Sequence, residues 1–152
     1  MKKILLILIA TAFIGKANAQ CATREYIDIA NKVFKLELNK DDFSSSGLFV
    51  TMDTINGHDK NAPSSYTEYS SPEPVIEAFA AFIKSKQFDG NFFNYYELFD
   101  NFLYKSPLHQ SFLVNDSTNT YKIDIWNNAQ DITKIDGLTI SKYPMKLTKT
   151  SY

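Results

Sequence analysis

The sequence predicts an α+β fold: about three helices packed on one face of a small antiparallel sheet of three to five strands. Three observations lead there. Apolar residues recur every three or four positions in three segments, the helical period. Apolar and polar residues alternate in several shorter segments, the strand period. The helical segments fall mostly before residue 105 and the alternating ones mostly after it, the order expected of an α+β chain.

The N-terminus precedes any of these elements. Lys2 and Lys3 stand before an apolar run from Ile4 to Ile14, short of the roughly 20 residues that a membrane span needs. Ala17-Asn18-Ala19 follows, with small residues where a signal peptidase reads. Residues 1–19 therefore read as a cleavable signal peptide resembling those of bacterial exported proteins, and residues 20–152 as a single globular domain in the periplasm or outside the cell. A lipid-attachment signal has an aliphatic residue three before its cysteine and a small one directly before. Asn18 and Gln20 hold those places, so no lipid anchor is expected at Cys21.

In the first helix, from about Thr23 to Leu38, Tyr26, Ile29, Ala30, Val33 and Phe34 share one side and Asp28 and Lys32 pair on the other. Asn39-Lys40-Asp41-Asp42 and Ser44-Ser45-Ser46-Gly47 form a turn. Leu48–Ile55 alternates as a strand. Asn56–Ser71 is polar and reads as a long connection, unusual inside a domain. Ser71-Pro72-Glu73 opens a second helix with Ser71 as cap, and Val75, Ile76, Phe79, Phe82 and Ile83 form its apolar stripe. After Asp89-Gly90-Asn91, a third helix is predicted over Phe92–Lys105. Phe92, Tyr95, Tyr96, Phe99, Phe102 and Leu103 fall within an arc of about 120° on it.

Strands are then expected over Ser111–Asn115, Thr120–Asn127 and Leu138–Tyr143, with turns at Asp116-Ser117-Thr118-Asn119 and Asp136-Gly137. In the middle one Tyr121, Ile123 and Ile125 face one way and Lys122, Asp124 and Trp126 the other.

Composition excludes several functions. One cysteine allows no intramolecular disulfide and no thiolate metal cluster. Loss of Lys2, Lys3 and Lys16 makes the processed domain more acidic than the −1 of the whole chain, and Arg24 is its sole arginine. Nucleic-acid binders need dense positive charge, so that class is not expected. No second segment is apolar enough to span a membrane. No phosphate loop, dinucleotide fingerprint, nucleophile elbow or metal-ligand spacing occurs, and no cofactor or metal is expected.

Candidate surfaces remain. Phe93, Glu97, Asp100, Asn101 and Tyr104 share the outer side of the predicted third helix, where aromatics among polar groups suit a sugar ring or a protein partner. His58 and Asp59 form a candidate loop site. His109 reads as a connector residue.

These residues predict a small non-enzymatic binding module of the bacterial envelope, of the inhibitor or immunity type, with a protein partner. One alternative is a carrier with an apolar pocket. The element order is compatible with a cone-shaped, NTF2-like fold, which implies a cavity walled by Tyr26, Phe79, Phe99, Ile123, Ile125 and Leu138. Another is a small hydrolase using His58 or acidic residues. That reading requires His58 or His109 within reach of a carboxylate inside one cleft.

Overall fold

The computed structural model describes residues 23–46, 51–56, 65–86, 95, 98–99, 101–144 and 146–147. The predicted signal region, Cys21, His58, Asp59, Phe93, Glu97 and Asp100 lie outside them.

Helix α1 covers residues 23–34, and its apolar stripe is buried: Tyr26, Ile29, Ala30, Val33 and Phe34, with Ile27 beside them. It stops four residues short of the expected end. Lys35 adopts φ 58°, and the Leu36 amide donates to the Asn31 carbonyl, a left-handed cap that closes the last turn. The Asn31 side chain then holds both backbone groups of Leu38. Asn39, expected in a turn, accepts from the Asp41 amide and caps α2 (Lys40–Ser46). The expected pair of Asp28 with Lys32 is replaced by two longer-range ones. Lys32 meets Asp116 at 2.6 Å, and Lys40 meets Asp28.

Strands β1 (Thr51–Asn56) and β2 (Ser65–Ser70) form a hairpin, and α3 (Glu73–Ser85) follows. Val75, Ile76, Phe79 and Ile83 are buried on α3, with Phe82 half-buried. Its cap is Pro72 rather than Ser71, whose hydroxyl accepts from Tyr26 instead. After it come β3 (Asn101–Lys105), β4 (His109–Asn115), β5 (Thr120–Asn127) and β6 (Ile135–Tyr143). All pairings are antiparallel, in the order β1-β2-β6-β5-β4-β3.

This corrects the predicted fold class. The sheet has six strands rather than three to five, and the strands hold more of the described residues than the short helices do. Two segments account for the difference. Ser65–Ser70 lies within the supposed polar connection, yet Tyr66, Thr67 and Tyr69 are strong strand formers. Most of β2 is half-exposed, so it shows no apolar alternation. The second segment is the predicted third helix. Tyr95 accepts from the amides of Leu98 and Phe99 in a single turn, and residues 101–105 are a strand. Aromatics at helical spacing suit a pleated surface equally well, and pairing with β4 decided the outcome.

Register fixes the two faces of the sheet. Phe112, Ile123 and Ile140 align across β4, β5 and β6, and Ile125 and Leu138 align beside them. These join α1 and α3 in one core, with Phe34 against Phe79 at 4.9 Å and Phe79 against Tyr95 at 5.9 Å. The six side chains expected to wall a cavity all lie in this buried cluster. On the opposite, open face stand His109, Ser111, Lys122, Asp124, Trp126 and Thr139.

Candidate functional site

The open face carries a cleft of about 320 Å³ between β3 and β5. Phe102, Leu103 and Tyr104 form one wall, and His109, Ser111, Lys122 and Asp124 form the floor.

Asp124 organises the floor. Its side chain is only 6% exposed, and its two oxygens take three donors. His109 Nε2 lies 2.9 Å from Oδ1, Ser111 Oγ donates to the same oxygen at 2.8 Å, and Lys122 Nζ lies 2.9 Å from Oδ2. A carboxylate is tolerated at such burial because these three donors converge on it. Pairing across the Asp116–Asn119 turn sets this geometry. Asn115 opposite Thr120 brings Ser111 opposite Asp124 and His109 opposite Trp126. Asp116 locks the turn by accepting from the amides of Thr118 and Asn119 and binding Lys32. Led by the lysine, these donors hold its carboxyl far below the usual carboxylate range.

The His109 ring is oriented by aromatics on both sides. Trp126 lies parallel to it, with ring centroids 4.9 Å apart, and Tyr104 stands 5.2 Å away at 39°. Gly137 makes room for the indole, since a Cβ there would come within 3.2 Å of Trp126 Cε3. Below the site, the Asn127 amide group accepts from the Tyr95 hydroxyl and donates to the Pro107 carbonyl. It thereby clamps the turn that starts β4.

Tyr104 reaches the cleft because β3 is irregular. Phe102 pairs with Phe112, but Tyr104 pairs with Ser111, leaving Leu103 as the extra residue of a bulge. In unbroken register Tyr104 would face the core side with Gln110. One inserted residue turns it to the open face.

Of the residues singled out from sequence, Tyr104 joins this site. Asn101 lines a different cleft with Leu98, Phe99 and Leu113, so the helical argument that grouped the two is overturned. Phe93, Glu97, Asp100, His58 and Asp59 fall outside the described residues. His109, Ser111, Lys122 and Asp124 were missed as a group. The signal was present: carrying the alternation of β4 back two residues to His109, and folding across a four-residue turn, places all four together.

Among the described residues, no group of three His, Cys, Asp or Glu side chains could hold a metal ion, and no helix is long and apolar enough to cross a membrane. Compared with known proteins, the chain matches no family model, no curated protein and no solved structure.

Proposed function

We propose that this chain is a non-enzymatic binding module of the bacterial envelope, and that it meets a protein partner at the β3 end of its sheet. One observation carries the reading. Phe102, Tyr104 and Leu108 are 44%, 52% and 45% exposed, and all three stand on β3 or the turn into β4. Among the described residues only Met52 is another large apolar side chain exposed to that degree. Clustered aromatics beside polar groups are the composition of interface centres. The test is site-specific photo-crosslinking in the native envelope. A photoreactive residue at Leu108 or Phe102 should trap one discrete protein, and one at Glu77, on the exposed side of α3, should not. Equal trapping at all three sites, or none at any, would overturn the reading. The double variant Phe102→Ala, Tyr104→Ala should weaken the complex by about tenfold or more.

A hydrolase reading has one observation in its favour: His109 lies 2.9 Å from Asp124 inside a cleft. Against it, the Ser111 hydroxyl donates to Asp124 and not to His109, so the contact between nucleophile and base is missing. That reading expects ester hydrolysis that disappears in Asp124→Asn.

A further inference from the structure

We propose that the open-face cleft binds a neutral sugar ring, laid against Tyr104 and hydrogen-bonded to Ser111, Lys122, His109 and Asp124. The inference goes beyond the partner reading, because it adds a small ligand held by the polar floor, with Tyr104 common to both.

Charge selects the class of ligand. Lys122 and Asp124 cancel one another at 2.9 Å, and the imidazole adds a charge only when it takes a proton. An anionic ligand would meet a cation already matched. A wholly apolar one would strip water from the floor without replacing its hydrogen bonds. A neutral ring bearing hydroxyl groups avoids both costs, since each hydroxyl both donates and accepts.

The floor retains capacity of both kinds. The Lys122 ammonium has three N–H donors, and Asp124 engages it through one oxygen. Ser111 Oγ donates to Asp124 and keeps its lone pairs as acceptors. His109 meets Asp124 through Nε2, which leaves its second nitrogen for another contact.

The wall supplies what a sugar's other face requires. The C–H face of a pyranose is flat and apolar and packs on an aromatic plane. Tyr104 is 52% exposed, and the bulge at Leu103 is what turns it toward the floor.

Trp126 is the only tryptophan of the chain and stacks on His109, so its emission reports the cleft directly. The purified protein is titrated with methyl glycosides of common hexoses and with short oligosaccharides, using benzoate and inorganic phosphate as charged comparators. The expected result is a saturable change with at least one neutral sugar, with Kd about 1 mM. That change should be insensitive to salt, because no net charge is matched. Tyr104→Ala and Ser111→Ala should each weaken it by about tenfold or more, and Glu77→Gln on α3 should leave it unchanged. Thermal melts of each variant confirm folding, and Lys122→Met replaces either variant that fails to fold. No saturable change with any neutral sugar, a response to benzoate or phosphate alone, or binding that survives both substitutions would overturn the proposal. Sugar binding lost while Leu108 still traps its protein would sink this inference and leave the partner reading standing.

Discussion

Ile123 and Asp124 are adjacent in the chain and belong to two different kinds of protein surface. On one side of β5, Tyr121, Ile123 and Ile125 are packed beneath α1 and α3. On the other, the Asp124 carboxylate meets Lys122 and His109, and Trp126 stacks on the His109 ring. Apolar burial has no direction, so the first face is secured by the sum of many contacts and survives small changes of shape. Hydrogen bonds to one carboxylate are directional. The second face is therefore aimed, and it depends on one residue. A strand that is dry on one side and ordered around one carboxylate on the other separates the task of folding from the task of presenting a site.

Ile123 is completely buried, and Ile123→Ala should cost about 2–5 kcal/mol, read from the urea midpoint. Asp124→Asn should cost less, about 1–3 kcal/mol, because the amide keeps the shape and still accepts from Ser111 while Lys122 loses its counter-charge. It should also release the His109 ring and change Trp126 emission, which Ile123→Ala should not do. A larger loss from Asp124→Asn than from Ile123→Ala would reverse the ranking and make the polar floor the main support of the sheet.

The two faces also differed in how far the sequence disclosed them. Strict alternation in Thr120–Asn127 revealed both sides of β5, because one side is nearly all apolar. The stripes of α1 and α3 were legible for the same reason: burial of one face leaves a period in the sequence. Where burial is partial, the period fades. β2 is half-exposed over most of its length and passed for a connection. Phe99, Phe102 and Leu103 fit a helical stripe, yet Phe99 is buried and Phe102 is 44% exposed, which a shared stripe does not allow. The site was hidden by a different cause. Its four floor residues come from two strands and meet only through the hairpin register, and its wall depends on a bulge that no local propensity marks. Tyr104 was singled out for its aromatic character and reached the site through a strand rather than a helix.

Alkali should separate the faces by a smaller margin. Burial pushes the hydroxyls of Tyr69 and Tyr121 up to about 12, and for Tyr121 the adjacent Asp116 carboxylate adds to the shift. Both rings lie on the helix-covered side, Tyr69 against Tyr26 and Tyr121 under Lys32. Unfolded tyrosine ionises near pH 10. Between about pH 10 and 12 the unfolded chain therefore holds fewer protons than the native one. Stability from these groups is complete below about pH 10 and falls as pH rises toward 12. Tyr121→Phe loses the hydrogen bond to Asp116, at a cost of about 1 kcal/mol near neutrality, but it no longer has a hydroxyl to ionise. Its urea midpoint should accordingly fall less steeply in alkali than that of the unsubstituted protein, while Asp124→Asn should keep the original slope. Identical alkaline slopes for the protein and for Tyr121→Phe would remove the tyrosine account of that face. A flatter slope in Asp124→Asn would move the alkaline sensitivity to the open side of the sheet.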